Sequence, residues 1–392
     1  TDINEITLRN IRFKTLNYIE KGAEELLKKS KLKLQTLDKI VEESDIIFVP
    51  IQTPHEKKYE GITRMPEERA DFNYEFLING IKELNEEIEK QGKDKTVIII
   101  STVLPGTISR FIKPILGTHL KLCYNPFFIA MGTTINDFLN SEIILFGVDD
   151  EGAAKQAEEF YKTINKTPFY KTTLENAELI KVVYNTFIST KIAMMNTVME
   201  TCHHLPNTNV DDVTEALALC TDRIISKKYL YGGMGDGGGC HPRDNIALSY
   251  LARKFKLSYN WYDNIMKQRE NQTEWLADLI IENKGDKQIN ILGKTFKPET
   301  NIETGSPSIL LKNILEEKGE TVRMWDPYVD DSDIMKVKDE YEWDKVPQLF
   351  FIGTKHKTFI DFYFMPGSVV IDPFRYLEVH DNVKYIPIGK NI

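Results

Sequence analysis

Ile46-Ile47-Phe48-Val49 and Val97-Ile98-Ile99-Ile100 are the two stretches that indicate the fold of the first part of the chain most directly. Short continuous runs of β-branched and other apolar residues are typical of strands that are buried on both faces of a sheet. Between the two runs, residues 72–92 have the pattern of a charged amphipathic helix. Strands that alternate with helices predict a doubly wound parallel sheet.

The same alternation continues outward from these runs, over residues 31–147. It predicts a helix over 37–43 and further short strands at 32–34, 120–124 and 143–146.

The middle of the chain has a different pattern. A long helix-like stretch without Pro or Gly runs from about Thr172 to His203, and Thr172-x-x-Glu175 could form a capping box at its start. Helical spacing returns over 209–219 and 246–281.

A second α/β section follows residue 286. Its predicted helix spans 306–318, and its predicted strands are 289–292, 321–325, 348–352 and 369–371. We therefore expect an α/β protein in which two doubly wound parallel-sheet domains, 1–170 and 285–392, are joined by a helical central domain with a long helix, 171–284.

Composition excludes several classes of protein. The chain has 392 residues, with 50 Lys or Arg and 59 Asp or Glu, so its net charge of −9 gives no general attraction to nucleic acid or to an anionic membrane. No apolar run approaches the roughly 20 residues of a membrane span. The four cysteines are widely spaced and include no C-x-x-C pair, so we expect a reduced, cytoplasmic protein without a metal site.

The segment Gly235-Asp236-Gly237-Gly238-Gly239-Cys240-His241-Pro242-Arg243-Asp244 carries the clearest chemical signal. Four glycines let the backbone approach a ligand closely. The Arg243 guanidinium could favour a thiolate at Cys240, and the Asp244 carboxylate could position a water molecule. From these residues alone, Cys240 is either a nucleophile or a buried cysteine in a glycine turn.

These residues resemble the UDP-glucose/GDP-mannose dehydrogenase family, the nucleotide-sugar 6-dehydrogenases. The family's nucleophile loop reads approximately G-x-G-G-x-C-x-P-K-D, and Arg243 stands where Lys is usual. Other segments that match in the same order are Ser101-Thr102-Val103-Leu104-Pro105-Gly106-Thr107, Ala177-Glu178-Leu179-Ile180-Lys181 with Asn185, Phe296-Lys297-Pro298, and Trp325-Asp326-Pro327.

The resemblance implies two Rossmann-like domains, NAD as the cofactor and a nucleotide sugar, most simply UDP-glucose, as the substrate. It implies a homodimer or a higher homo-oligomer that pairs through the central helices. The family's reaction is a four-electron oxidation of a sugar C6 alcohol to a uronate for surface polysaccharide, and it runs through a thiohemiacetal and a thioester. Cys240 matches the nucleophile of that reaction.

The resemblance also assigns roles to polar side chains near the nucleophile. Lys181 and Asn185 are four residues apart, so a helix would place them on one face. By resemblance both stabilise the oxyanion and bind substrate, and Asp244 assists with a water or a proton. Thr102, at the end of a predicted strand, would hold the catalytic water or the cofactor, although it could simply cap a turn.

Further positions match the family's binding residues. The expected cofactor contacts are Asp2, Thr53, Thr102 and Arg243. The expected substrate contacts, besides Lys181 and Asn185, are Gly237, Lys297 and Arg223, of which Arg223 would reach a neighbouring subunit's substrate or would otherwise be a surface charge.

The chain departs from the family in three respects, one of which is that Thr304 stands where the family has an Arg that would meet the cofactor pyrophosphate. The family opens with a strand and a G-x-G-x-x-G loop, and the N-terminal section of this sequence has none, so we expect that about 30 residues are missing or that dinucleotide binding has been lost. Phe127 and Met131 also stand where the family has glutamates. The alternative function is therefore a relative that binds a nucleotide sugar without completing its oxidation.

Overall fold

The computed structural model describes residues 1–222, 224, 228–235, 238–329 and 342–391. The chain divides into two compact units. The first contains Thr1–His55 and Ala70–Tyr184, and the second contains Glu56–Arg69 and Asn185–Ile392.

The first unit contains a five-stranded sheet whose strands follow one another in chain order. The strands are β1 (Ile46–Val49), β2 (Lys95–Ile99), β3 (Leu120–Tyr124), β4 (Ile144–Val148) and β5 (Phe169–Thr172). The helices are α1 (Glu5–Phe13), α2 (Ala23–Lys29), α3 (Leu37–Glu43), α4 (Glu75–Gln91), α5 (Thr134–Leu139) and α6 (Glu151–Lys162).

The apolar pattern of the sequence accounts for this unit. Every residue of β2 is buried; the apolar run predicts this for Val97, Ile98 and Ile99, but not for Lys95 and Thr96. On α4 the buried residues Leu77, Ile81, Leu84 and Ile88 recur at helical spacing, so this helix buries one face and exposes the other. Removal of these apolar faces from water is the main favourable contribution to folding.

Helix α7 (Leu174–His204) includes the residue at which the first unit ends, Tyr184. In the second unit it is followed by α8 (Val210–Ala218), α9 (Cys240–Lys254), α10 (Trp261–Lys284) and α11 (Pro307–Glu317). A five-stranded, all-parallel sheet has the order β11-β10-β9-β7-β8. These strands are β7 (Ile289–Leu292), β8 (Val322–Trp325), β9 (Leu349–Ile352), β10 (Val369–Asp372) and β11 (Lys384–Pro387). A small antiparallel pair joins β6 (Thr208–Asn209) to β12 (Lys390–Asn391).

The segment Glu56–Arg69 belongs to the second unit although its neighbours in sequence belong to the first. Arg69 Nε lies 2.8 Å from Asp263 Oδ1, with both side chains largely buried. The Arg64 guanidinium forms ion pairs of 2.7 Å with Glu274 and with Glu317. These charged contacts fix the segment on α10 and α11, and nothing in the sequence analysis anticipated them.

The predicted α/β architecture, with parallel sheets and a long helix in the middle of the chain, is confirmed. One pairing differs from a purely parallel sheet, since β3 and β4 run antiparallel, with Cys123 opposite Val148. Helix α9 also begins six residues before the predicted position, at Cys240. The division into three domains stays a prediction.

Two local predictions are wrong. Residues 32–34 do not form a strand, and Leu32 is 68% exposed, so that short alternation has no sheet to bury it. The capping box at Thr172 and Glu175 does not form either. Thr173 Oγ1 instead accepts the hydrogen bond from Asn176 N at 3.3 Å, and Glu175 accepts one from the Ser109 hydroxyl.

Among the residues described, no helix is both long enough and apolar enough to cross a lipid bilayer.

Candidate active site

Cys240 is the first residue of α9, and its side chain is exposed. Gly238, two residues before Cys240, has a φ of +101°, and a Cβ at that position would overlap the ring of Phe296. A Cβ at Gly239 would lie 3.0 Å from the Thr304 carbonyl oxygen. Glycine is therefore required for this close packing, and the packing presents the thiol at the positive end of a helix, where negative charge is favoured.

Asp244 lies one turn after Cys240 and is completely buried. Asn185 Nδ2, on α7, donates a hydrogen bond of 2.6 Å to Asp244 Oδ2. Arg243 Nε lies 3.2 Å from the other carboxylate oxygen. The carboxylate is thus oriented from both sides, and the predicted residues Cys240, Asp244, Asn185 and Arg243 form one group in the second unit.

A line of polar side chains between α7 and α9 extends this group. Ser189 Oγ lies 3.0 Å from His241 Nδ1 and accepts a hydrogen bond of 3.2 Å from Asn245 Nδ2. Thr186 Oγ1 donates to Asn245 Oδ1 at 2.9 Å. This line of side chains was not predicted from the sequence. The signal was present as polar residues at helical spacing, Asn185 with Ser189 on one helix and His241 with Asn245 on the other.

Lys181 lies one turn before Asn185 on α7, as the sequence predicts, and is only 8% exposed. Within the first unit, its Nζ donates a hydrogen bond of 2.8 Å to the carbonyl oxygen of Phe127 and lies 5.3 Å from the centre of the Phe128 ring. The Phe127 ring packs against Phe138, with 5.5 Å between centroids. Phe127 therefore orients the ammonium through its backbone, while its side chain is part of the apolar packing.

Glu178 was not identified from the sequence as a site residue. It is fully buried one turn before Lys181, and its carboxylate accepts hydrogen bonds from Gly106 N at 2.5 Å and Ile108 N at 2.9 Å. Burial raises the pKa of this carboxyl to about 7. Glu178 thus fixes the turn that follows Thr102. The available signal was that Glu178 lies three residues before Lys181 and seven before Asn185, on the same face of the helix.

The predicted cofactor residues Thr53 and Thr102 lie together at the carboxyl ends of β1 and β2. Thr53 Oγ1 donates a hydrogen bond of 2.6 Å to the Thr102 carbonyl oxygen. No described residue forms a hydrogen bond with the Thr102 hydroxyl, which leaves it available to a ligand. Ligands of doubly wound sheets bind at this edge, so the residues present fit a dinucleotide there.

Asp2 lies outside any strand, just before α1. It is exposed, and its carboxylate accepts a hydrogen bond from Asn4 N. Its proposed contact with a ribose stays a prediction.

Lys297 lies in the loop between β7 and α11. Its carbonyl oxygen accepts hydrogen bonds from the hydroxyls of Thr295 and Thr300, each at 3.1 Å. This loop is the one that packs against Gly238 and Gly239, so the structure brings it next to the segment that carries Cys240. The predicted substrate residues Arg223 and Gly237 lie outside the described residues.

Two family models match most of the chain. Residues 1–165 match the NAD binding domain of the UDP-glucose/GDP-mannose dehydrogenase family, and residues 175–271 match the central domain of that family.

Characterised relatives give similar matches. The chain is 29% identical over 322 residues to the UDP-glucose 6-dehydrogenase YwqF of Bacillus subtilis, and this match covers 79% of the chain and 69% of YwqF. It is 26% identical over 321 residues to the GDP-mannose 6-dehydrogenase of Pseudomonas aeruginosa, which covers 79% of this chain and 70% of that protein.

The fold is similar to that of a UDP-glucose dehydrogenase from the hyperthermophilic archaeon Pyrobaculum islandicum. The TM-score is 0.83 at 23% identity, over 99% of this chain and 91% of the other.

Proposed function

Because the chain belongs to the UDP-glucose/GDP-mannose dehydrogenase family, we propose that it oxidises the C6 alcohol of UDP-glucose to the uronate through a covalent intermediate on Cys240. Membership makes the chain an NAD-dependent oxidoreductase, and the family and its relatives support nucleotide-sugar 6-dehydrogenase activity. The choice of UDP-glucose and the covalent step are the parts that we propose. The observation that carries them is the exposed Cys240 thiol one turn before the buried Asp244–Asn185 pair.

The proposed reaction has two oxidations and one hydrolysis. The C6 alcohol loses a proton and a hydride and becomes an aldehyde. The Cys240 sulfur then attacks the aldehyde carbon, and the resulting thiohemiacetal loses a proton and a second hydride and becomes a thioester. NAD, which the first domain would hold, would supply the hydride acceptor for both oxidations. Water finally displaces the sulfur, which releases the carboxylate and restores the thiol.

Side chains of the site suit the other steps. In our proposal, the Lys181 ammonium and the Asn185 amide stabilise negative charge on the sugar oxygen. Asp244 accepts a proton from the attacking water, because its carboxylate is already oriented by Asn185 and Arg243. The Thr102 hydroxyl holds the water or the cofactor.

We assign substrate binding to Lys297, Gly237 and Arg223, and cofactor contacts to Asp2, Thr53, Thr102 and Arg243. In this assignment residues 1–170 hold NAD, 285–392 hold the nucleotide sugar, and 171–284 carry the nucleophile.

Self-association through α7 is part of the proposal. Large apolar side chains on this helix are exposed, namely Leu179, Val183, Phe187 and Met194, with Met194 at 63%. Exposed apolar side chains at helical spacing favour a second copy of the chain as the partner.

The experiment that tests the function counts NADH. The full chain is incubated with limiting UDP-glucose or GDP-mannose and excess NAD+. We expect about two NADH per molecule of UDP-glucose, because each C6 alcohol is oxidised twice. One NADH per sugar would contradict the complete oxidation. Binding of UDP-glucose without NADH would favour the alternative, a relative that binds the nucleotide sugar only, which the apolar Phe127 and Met131 support.

A further inference from the structure

The loop that carries Lys297 is in direct contact with the backbone that precedes the nucleophile. We name residues 294–305 the Lys297 loop. A Cβ placed on Gly305 would overlap the Cα and N atoms of Gly239, and Gly239 in turn faces the Thr304 carbonyl oxygen. The Phe296 ring covers Gly238. Two glycines that meet backbone to backbone leave no space for a side chain, so neither segment can shift toward the other without displacing it.

The Lys297 loop is fixed to the sheet by Asp326, a completely buried carboxylate just after β8. Its Oδ2 atom accepts hydrogen bonds from Lys294 N at 2.7 Å and from Thr295 N at 3.0 Å. The first two residues of the loop are thus held by a single carboxylate oxygen. Several donors on a buried carboxylate supply the solvation that water would otherwise provide.

His356 fixes the middle of the loop. Its ring is completely buried, and its Nδ1 accepts a hydrogen bond of 3.1 Å from the backbone N–H of Glu299. Since Nδ1 is the acceptor, Nε2 carries the proton, and it donates to Asp326 Oδ2 at 3.0 Å. Glu299 has a backbone φ of +60°, which residues other than glycine rarely adopt. The hydrogen bond from its N–H to His356 helps to hold this conformation.

We propose that the Lys297 loop, anchored by Asp326 and His356, positions Cys240 through the contact between Gly305 and Gly239. Gly305, Asp326 and His356 are therefore positioning residues of the dehydrogenase reaction. This inference rests on the proposed function, because it takes Lys297 as a substrate contact and Cys240 as the nucleophile. In this proposal, binding of the nucleotide sugar at Lys297 reduces the movement of the Gly239–Cys240 backbone and so fixes the position of the thiol.

The first test compares Gly305→Ala with Gly319→Ala. Both glycines have positive φ, +72° and +87°, so alanine introduces similar backbone strain at each. A Cβ at Gly319 meets nothing within 4 Å, whereas a Cβ at Gly305 overlaps Gly239. Backbone strain should therefore affect both variants, whereas only Gly305→Ala disturbs the contact with Gly239.

Two readouts are taken on the full chain. The first is turnover with the nucleotide sugar. The second is the rate at which iodoacetamide alkylates Cys240, measured by peptide mass spectrometry with the exposed Cys220 as internal reference. We expect Gly305→Ala to lower kcat about 10²-fold, as a small displacement of a reacting group does. The ratio of Cys240 to Cys220 alkylation should change with it, and Gly319→Ala should leave both readouts as in the wild type.

The second test compares His356→Gln with His380→Gln. Glutamine at position 356 can keep a donor near Asp326, but it has no acceptor at the position of the imidazole Nδ1, which bonds Glu299 N. His380 bonds to the Phe364 carbonyl oxygen and does not touch the Lys297 loop. We expect His356→Gln to raise KM for the nucleotide sugar about tenfold, which corresponds to about 1.4 kcal/mol. KM for NAD+ should stay unchanged. A merely unstable protein would lose kcat with both KM values intact.

The outcomes distinguish this inference from the proposed function. Equal turnover and equal alkylation ratios in Gly305→Ala and Gly319→Ala, with an active wild type, would overturn the positioning role alone. So would a His356→Gln variant with the KM values of His380→Gln. A wild type that produces no NADH from any nucleotide sugar would overturn the proposed function, and the alkylation ratio would still report on the contact.

Discussion

The Asn185 side-chain amide donates a hydrogen bond of 2.6 Å to the Asp244 carboxylate, and this bond connects the long helix α7 to the helix that begins with Cys240. Both residues are buried, Asp244 completely. A buried carboxylate must be paired or solvated by donors, so the bond has a structural role as well as the proposed catalytic one. It fixes the carboxylate one turn from the thiol.

Asn185→Ala should therefore destabilise the protein. The substitution leaves Asp244 Oδ2 without its amide donor, and an unpaired buried acceptor costs about 1–3 kcal/mol of unfolding free energy. Urea titration measures the change. Asn176→Ala, on an exposed position of the same helix, is the control and should shift the unfolding free energy by less than about 0.5 kcal/mol. Equal effects of the two substitutions would show that the bond to Asp244 contributes little.

Lys181→Met tests the ammonium that the Phe127 carbonyl oxygen orients. We expect turnover to fall about 10²–10³-fold, which is typical for the loss of one donor to a developing oxyanion. Methionine keeps the length and the apolar stem but leaves the Phe127 carbonyl oxygen without this donor, so turnover is compared at a temperature where urea titration shows both proteins to be folded. Lys155→Met, on an exposed position of α6, should leave turnover unchanged. A Lys181→Met enzyme with wild-type turnover would remove the ammonium from the mechanism.

Glu178 should make stability depend on pH. Burial raises its pKa to about 7, above the value near 4.5 of an exposed glutamate. Its contribution to stability is therefore complete below about pH 4.5 and is lost as the pH rises through about 7, because the buried group must then ionise. We expect the urea midpoint to decrease as the pH rises from about 4.5 to about 7 and to level off above that. Glu178→Gln, which does not ionise, should lack that component, and identical pH profiles would contradict the assignment.

Much of the fold follows from the sequence, because its signals are apolar and periodic. The run at residues 46–49 forms β1 with the predicted bounds, and the helical spacing over 37–43 forms α3 with the predicted bounds. Short apolar runs rich in β-branched residues favour a buried strand, and the alternating helices beside this one support that interpretation. The prediction of a strand at 32–34 is wrong, and Leu32 is exposed. An alternation of three residues is too short to specify a neighbouring strand with which it would pair.

The candidate site was predicted only in part. Cys240, Asp244, Asn185 and Lys181 could be identified because a known family has the same residues at the same spacing. The pairing of Ser189 with His241 could not, since a contact between two helices depends on how they pack. The same holds for Asp326 and His356, which are 30 residues apart in sequence and meet only because β8 and β9 both pair with β7.

The most direct test of the account is uronate formation by Cys240→Ser protein, with Cys220→Ser as the matched control, since Cys220 is the other exposed cysteine among the residues described. Serine is a far weaker nucleophile than a thiolate, so Cys240→Ser should yield no uronate. It should still bind UDP-glucose, which a rise in its melting temperature would show. Cys220→Ser should produce uronate at the wild-type rate. Uronate formed by Cys240→Ser at that same rate would contradict the central claim that the sugar carbon is carried on Cys240.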